Sequence, residues 1–463
     1  MGIVPYNSEE RAMTKNDIIQ LHITAMTSDG DGIGRTDDGM VVFVPNTAVG
    51  DVIGARILKV KKTVAYAKID EIITPSEDRI TPDCDVCERC GGCVYRHISY
   101  DAELKLKRQK VIDAVTRIGG LNEELVKDII PSKNINCYRN KAQIPVSLDK
   151  DGKPVMGFYA RHSHRIVPKL ACRLSPDIFN EITSDFYSFL EKYPQVIYSE
   201  NNRKGIRHLY LRYAESSGNV MVCVVAGKDD FSHSEEIFNS LTEKYLSIKS
   251  IVININPEDT NVILGKKNRF VCGAETITDT LCGLSFDISP LSFYQVNRAQ
   301  AENLYGKARE YAALTGEDVI LDLYCGTGTI GLTMARECKT LIGDEIIPDA
   351  VENAKKNAAR NGITNARFIC ADAAQAAEQL RQEGIRPDVI VVDPPRKGLT
   401  PELIETIAQM SPDRVVYVSC DPATLARDLK IFTEKNYSVK EITPCDMFPR
   451  TAHCESVCLI SKA

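Results

Sequence analysis

The chain has 463 residues, 43% hydrophobic and 26% charged, a balance that suits an ordinary globular protein of two to four domains. No apolar run reaches ~18 residues, which excludes a membrane-spanning helix, and a net charge of −6 excludes a globally basic nucleic-acid binder, so any such face is local. The 16 cysteines follow a polar start with no signal peptide. They imply a reducing compartment, the cytoplasm, where clustered thiols serve metals or catalysis rather than disulfides. Nothing assigns an oligomeric state, and a monomer is the default expectation. Residues 1–14 read as a flexible tail.

From 15 to 74 short apolar runs alternate with Gly- and Asp-rich turns: Leu21 to Ile23, Asp29 to Gly34, Met40 to Pro45, Val52 to Ile57 and Val64 to Ile69. Such closely spaced strands predict a small barrel of the oligonucleotide-binding type. Lys59, Lys61, Lys62 and Lys68 give it a basic edge, or a plain solvated face. The Gly-rich turn and the Val42-Phe43-Val44-Pro45 strand resemble a TRAM domain, an RNA-binding barrel attached to RNA-modifying enzymes.

Cys84, Cys87, Cys90 and Cys93 follow in quick succession. Zinc usually takes two cysteine pairs separated by a longer loop. Closely spaced C-x-x-C runs suit iron–sulfur clusters held by thiolates, so the pattern favours iron–sulfur over zinc. Four such close thiols need not all wrap one cluster, and Cys172, after a basic stretch, is a candidate distant ligand. No C-x-x-x-C-x-x-C is present, which argues against a radical enzyme.

Residues 75–292 read as a central α+β domain. Asp101 to Ile118 has helical spacing and a basic surface of Lys105, Lys107, Arg108 and Lys110. Strands are expected over Ala142 to Leu148 and Val155 to Tyr159, a hairpin over Arg207 to Tyr213 and Val220 to Val225, and a strand from Ile251. Arg139, Arg161 and Arg165 interleave with Tyr138, Phe158 and Tyr159. That mixture suits RNA, where phosphates need cations and splayed bases need stacking partners; ordinary surface charge explains it equally well. His162 and His164 are RNA-facing or plain surface residues.

Residues 293–463 alternate strand and helix, as in a doubly wound α/β domain. Val319 to Leu323 leads into the turn Tyr324-Cys325-Gly326-Thr327-Gly328-Thr329, which lacks the lysine of a phosphate-binding loop. Thr340 to Glu345 ends in acid, where a carboxylate can accept both ribose hydroxyls of an adenosine. Ala366 to Asp372 is the third strand, and the fourth ends in Asp393-Pro394-Pro395-Arg396. The fifth, Arg414 to Val418, stops at Ser419-Cys420-Asp421-Pro422. Pro422 cannot continue a ladder but opens a helix. Cys420 therefore stands at the carboxyl edge of the sheet beside a helix amino terminus, which is expected to favour its thiolate. A buried structural cysteine is the alternative.

Three motifs together, Asp393 to Gly398, Ser419 to Asp428 and Phe448 to Ser456, resemble the RNA (uracil-5-)-methyltransferases, and most closely the bacterial 23S ribosomal RNA branch, which carries a TRAM domain and a [4Fe–4S] cluster. The resemblance covers nearly the whole chain from about residue 15. It implies S-adenosylmethionine as methyl donor and 23S ribosomal RNA as partner. Cys420 is the implied nucleophile and Glu455 the general base. Gln295, Tyr324, Glu345 and Asp393, with Thr329 and Asp372 more weakly, are the implied cofactor contacts. The cluster ligands become Cys84, Cys90, Cys93 and Cys172, with Cys87 an extra thiol. The helix near 100–125 is implied to fold onto the catalytic domain. Asp344 departs from the apolar residue usual in the family, and is expected either to perturb adenosine binding or to point to solvent.

The chemistry explains the residue types. Uracil C5 is too weak a nucleophile until a thiolate adds to C6, and a base must then remove the C5 proton so that the cysteine can leave. The target base must also leave its stack, which favours loops and single strands. Three rivals stay open: a nitrogen-directed methyltransferase built on Asp393-Pro-Pro, which needs no Cys420; a non-catalytic RNA-binding factor; and a transfer RNA uridine target.

Overall fold

The computed structural model describes residues 13–199, 203–258 and 260–463; the expected tail falls, but for Met13 and Thr14, outside the described residues. The chain forms two compact units. One holds the described residues up to Lys110 with Ala160–Ser163 and Phe448–His453; the other holds Val111–Tyr159, His164–Met447 and Cys454–Ala463. Among the described residues no helix is long and apolar enough to cross a membrane.

In the first unit β1 (Ile18–Met26), β2 (Gly32–Arg35), β3 (Val41–Val44), β4 (Val52–Val60) and β5 (Val64–Thr74) close into a barrel of order β1-β2-β3-β5-β4. Side chains alternate across a strand. Ile19, Leu21 and Ile23 therefore point inward with Val42, Val44, Ile53 and Ile57, while Lys59, Lys61, Lys62 and Lys68 stay exposed. Closure leaves no edge free for stray pairing.

Helix α1 (Tyr100–Arg117) gives its first half to this unit. Its expected basic surface is only partly realised. Lys107 is buried, donating to Glu103 at 2.7 Å and to the Phe448 carbonyl at 3.1 Å. The same Glu103 accepts the Arg450 backbone N–H at 2.6 Å, so a helix-internal ion pair doubles as the anchor of the 448–453 loop. Lys110 is spent on the carbonyls of Ser28 and Ala452.

The second unit carries two large sheets. In the first, β6 (Lys141–Leu148), β7 (Pro154–Tyr159), β8 (Ile166–Pro168), β9 (Ile206–Ala214), β10 (Asn219–Ala226), β11 (Ile248–Ile255) and β12 (Lys267–Gly273) lie in the order β12-β11-β10-β9-β6-β7-β8. Helices α2 (Asp177–Lys192) and α3 (Ser234–Lys244) cover one face, where Phe179, Phe186, Ile237 and Leu241 meet Ile144, Leu209 and Val222. A short hairpin, β13 (Ile277–Leu281) and β14 (Leu284–Ile288), and helix α4 (Arg298–Ala312) lead onward.

The last sheet is built from β15 (Val319–Leu323), β16 (Thr340–Glu345), β17 (Ala366–Cys370), β18 (Val389–Val392), β19 (Arg414–Ser419), β20 (Tyr437–Cys445) and β21 (Glu455–Lys462). Its order is β17-β16-β15-β18-β19-β21-β20. The first five run parallel and β21 antiparallel to both its neighbours. Helices α5 (Thr329–Met334), α6 (Pro348–Arg360), α7 (Ala373–Gln382), α8 (Pro401–Met410) and α9 (Pro422–Thr433) connect them in doubly wound fashion. Val111, Ile112 and Val115, from the second half of α1, join the core of this sheet with Val415, Tyr417 and Leu429.

Candidate active site

The site is an edge, and β19 supplies its centre. Val415 to Val418 are buried, and at Ser419 the chain turns: its hydroxyl donates to the Asp421 carbonyl at 3.0 Å and accepts the Asp421 N–H at 3.2 Å. Asp421 then caps α9, its carboxylate accepting the N–H groups of Ala423 (2.9 Å) and Thr424 (3.0 Å), with Pro422 in the first helical turn. Cys420 is left part-exposed at the edge. Strand β21 pairs with β19 so that Ser456 stands opposite Ser419. Glu455 precedes Ser456 and Cys420 follows Ser419, and the charge of Glu455 acts on the Cys420 thiol.

Burial dominates the electrostatics. Glu455, 7% exposed, is pushed up to about 8, by burial first and then by the charge of Asp393, with Arg396 opposing. Burial alone raises Asp393 to about 7. The Cys420 thiol is raised to about 11 by burial, Glu455 and Asp393, again against Arg396. This corrects the expectation of a helix-stabilised thiolate. The amino terminus of α9 is already satisfied by Asp421, and two acids face the thiol.

The adjoining edge is acidic as well. After β15, Tyr324 takes a left-handed conformation, φ 65°, which costs strain in a non-glycine residue. The turn is tied to β16: Cys325 N–H donates to the Asp344 carbonyl at 2.8 Å, and Glu345 accepts the N–H groups of Gly326 (3.2 Å) and Ile347 (2.8 Å). Gly331 lies so close to Asp322 that a Cβ would sit 2.6 Å from its Oδ2, which accepts the Gly331 N–H at 2.9 Å. Burial lifts Asp322 to about 8 and Asp344 to about 7. Each keeps a buried Oδ1 with no hydrogen-bond partner. Asp344, 1% exposed, does not point to solvent.

Gln295 and Thr329 converge on a residue that sequence reasoning missed. The hydroxyl of Tyr305, fully buried in α4, meets Thr329 at 3.3 Å and is hydrogen-bonded by Gln295. No local signal marks Tyr305, because its partners come from a loop and a turn elsewhere in the chain. The Gln295 loop is held from outside the α/β sheet: Asn140 donates its side chain to the Gln295 carbonyl and its N–H to the Val296 carbonyl, both at 2.8 Å. Asp372 caps α7 through the Ala374 N–H at 3.1 Å.

The remaining candidates lie apart from this edge in the chain. Cys84, Cys87, Cys90 and Cys93 are part-buried residues of the first unit, with the Arg96 guanidinium against Cys93 and Asp83. Cys172, also part-buried, belongs to the second unit. Among the described residues no three Cys, His, Asp or Glu side chains are grouped to hold a metal ion. A cavity of about 310 Å³ in the first unit is lined by Lys68, Arg79, Cys87, Cys93, Arg96 and His97, among others. Arg161 is engaged by Asp31 and the Asp29 carbonyl. Arg139 is half-buried and Arg165 exposed.

Comparison with known proteins follows the same division. Residues 232–463 match the tRNA (uracil-5-)-methyltransferase family and residues 14–69 the TRAM domain. A protein of Clostridium tetani, described as an uncharacterized RNA methyltransferase, is 42% identical over 448 residues, covering 96% of this chain and 97% of its own. One of Listeria innocua with the same description is 42% identical over 454 residues, covering 98% and 99%. The crystal structure of Pyrococcus abyssi tRNA (uracil-54, C5)-methyltransferase with S-adenosyl-L-homocysteine superimposes with a TM-score of 0.76 at 29% identity, covering 95% of this chain and 99% of that one.

Proposed function

Because the chain belongs to the tRNA (uracil-5-)-methyltransferase family, and is thereby a class I S-adenosylmethionine-dependent RNA methyltransferase, we propose that it methylates C5 of a uridine in 23S ribosomal RNA, as a monomer in the cytoplasm. The observation that supports the reading is that Glu455 and Asp393 both act on the Cys420 thiol and Asp393 on Glu455, beside the last rung of the β19–β21 pair.

S-adenosylmethionine supplies an electrophilic methyl group on a sulfonium. Residues of the edge fit such a ligand: Glu345 for the ribose hydroxyls, Asp372 and Tyr324 around the adenosine, and Gln295, Thr329 and Asp393 toward the reacting end. The two orphaned carboxyl oxygens of Asp322 and Asp344 suit a cation. Cys420, as thiolate, adds to C6 of a uracil that has left its stack, and C5 becomes the carbon of an enolate. C5 takes the methyl group as its bond to the sulfonium sulfur breaks, and the neutral thioether S-adenosylhomocysteine leaves. Glu455, as carboxylate, then removes the C5 proton, the C5–C6 double bond re-forms and the C6–S bond breaks, returning the thiolate.

Arg139, Arg161 and Arg165 are the proposed RNA contacts. Cys84, Cys90, Cys93 and Cys172 are the proposed ligands of a [4Fe–4S] cluster, since thiolates are its donor class. They are not grouped as a metal cage, and no step of the reaction runs through them. The chemistry gives the cluster a bracing rather than a redox role. Iron and acid-labile sulfide in the purified protein, both lost in a Cys90→Ser variant, are the test.

A transfer RNA target is the second reading, favoured by the name of the Pyrococcus protein. One experiment separates the readings: tritiated methyl donor with 23S and transfer RNA transcripts carrying 5-fluorouridine. Fluorine at C5 cannot leave as a proton, so the C6 thioether is trapped. A denaturation-resistant adduct, lost in Cys420→Ala, identifies both chemistry and substrate. Methyl transfer without an adduct overturns the Cys420 mechanism in favour of nitrogen methylation, and no transfer to either RNA favours a binding factor.

A further inference from the structure

The sheet that ends in β6 and β9 has a second face. Ala142, Ile144 and Val146 of β6 and Leu209 and Leu211 of β9 point into the helix-covered core. By alternation Lys141 and Gln143 share the opposite face with His208, Tyr210 and Arg212. In the antiparallel register Lys141 stands directly opposite Arg212. Like charges in that position are destabilising.

Neither charge is neutralised. Arg212 is 3% exposed and donates to the Tyr210 hydroxyl (2.8 Å) and to the carbonyls of Ser289 (2.7 Å) and Ser292 (2.5 Å), all neutral acceptors. Those bonds fix the guanidinium and leave its charge in place. The half-buried Lys141 ammonium makes no hydrogen bond or ion pair among the described residues. Burial first, and then the charged groups that act on it, the cationic Arg212 and Arg139, push it down to about 8. Stability alone would place a neutral or acidic side chain here. The position adjoins the reacting edge: Asn140, the preceding residue, holds the Gln295 loop, and Arg212 holds Ser289 and Ser292 at its start.

We infer that Lys141, with Arg139 and Arg212, forms a seat for one phosphodiester of the RNA strand that carries the target base. The inference rests on the reading of RNA as substrate. It adds Lys141 to the site and gives it a role. An anion between the two strands removes the repulsion that the free protein keeps, and it fixes the strand next to the Gln295 loop.

The test compares wild type, Lys141→Met and Lys141→Arg, using the RNA transcript that wild type methylates. Lys141→Met is expected to lower RNA affinity by ~3–10-fold near 0.1 M salt and to reduce the slope of log affinity against log salt by about 0.7, one single-strand phosphate contact. KM for RNA rises while kcat and the affinity for S-adenosylmethionine stay within twofold. The free variant melts higher than wild type, since a repulsion is gone, and Lys141→Arg keeps the wild-type slope. An unchanged slope in Lys141→Met overturns the inference while leaving the RNA reading intact. A loss of cofactor affinity instead assigns the seat to the cofactor carboxylate and also overturns it. A lower melting temperature in Lys141→Met makes the lysine a structural residue, the third overturning result. Wild type binding neither RNA would overturn the RNA reading and the inference together.

Discussion

Glu455 acts on the Cys420 thiol from beside the last rung of the antiparallel β19–β21 pair, where Ser456, the residue after it, stands opposite Ser419, the residue before Cys420. The parallel strands deliver Asp393 and Cys420 to the sheet edge from below, as in any doubly wound fold. Only the reversed strand β21 can bring a residue to that edge at its own beginning. The proposed base is thus delivered by chain direction and the proposed nucleophile by chain ending.

A Glu455→Gln variant keeps shape and hydrogen bonding but cannot take the C5 proton. It is expected to form the Cys420 adduct, to transfer the methyl group, and to stall there with ordinary uridine RNA. Turnover drops by about 10²–10⁴-fold, while a methylated protein–RNA complex survives denaturation. Cys420→Ala forms no such complex. If Glu455→Gln turned over normally with no accumulated adduct, the base would have to lie elsewhere.

The free enzyme holds its thiol protonated. With the thiol near 11, about one Cys420 in a thousand is ionised at pH 8. Iodoacetamide labelling of the Cys420 peptide, followed by mass spectrometry, is therefore expected to rise between pH 7 and 9, by less than about tenfold per unit because Glu455 becomes charged over the same range. Glu455 raises the thiol when charged, so Glu455→Gln removes a repulsion and labels several-fold faster at pH 9, where Glu455, raised to about 8, is mostly charged. Slower labelling in the variant would reverse the assigned sign.

The proposed cofactor edge is expected to carry a second pH dependence. Asp322, Asp344 and Asp393 are lifted to about 8, 7 and 7 by burial. Below those values they are neutral and above them anionic. The sulfonium of S-adenosylmethionine is cationic, and the thioether product is not. Affinity for the substrate cofactor is expected to rise by about tenfold from pH 6 to pH 8, and affinity for S-adenosylhomocysteine by less than twofold. Calorimetry in buffers of different ionisation heat reads the proton released on binding. Asp344→Asn diminishes that release, and equal pH profiles for the two ligands would remove the acid edge from cofactor selection.

Much of this edge was legible in the sequence because strand ends and helix caps are local signals. Pro422 after Asp421, acid at Glu345 and the Gly-rich turn each mark a boundary that the fold confirms. What could not be read is what packing decides. Lys107 looked like surface until Glu103 and a distant carbonyl enclosed it. The thiol environment of Cys420 depends on acids from two other strands. Tyr305 and Asn140 act through partners far along the chain. Strand β12, Lys-Asn-Arg-Phe-Val-Cys-Gly, lacks apolar alternation because it is a largely exposed edge strand. The β13–β14 hairpin turns on Cys282 and Gly283, both at positive φ (51° and 75°), a backbone more often announced by Asn-Gly.

Asp428 couples the loop after Asp393 to β19, the strand that leads to Cys420. It is buried, and its Oδ2 accepts the Leu399 N–H at 2.8 Å and the hydroxyl of Tyr417, within β19, at 2.7 Å. Arg427 clasps its other oxygen at 2.7 Å and reaches the carbonyls of Lys397 (2.9 Å) and Leu399 (3.1 Å). Gly398 makes the approach possible: its φ is 73°, and a Cβ there would lie 2.5 Å from Asp428 Oδ2. Asp428→Ala leaves a buried N–H and a buried hydroxyl unpaired, a cost of about 2–4 kcal/mol in stability. Gly398→Ala forces the same loop away by strain and clash. Both are expected to lower kcat by at least tenfold through displacement of Asp393. Because the two changes break one shared contact, the double variant should lose much less than the sum of the singles. Additive losses, measured by denaturation and by kcat, would show that Asp428 and Gly398 act on the site separately.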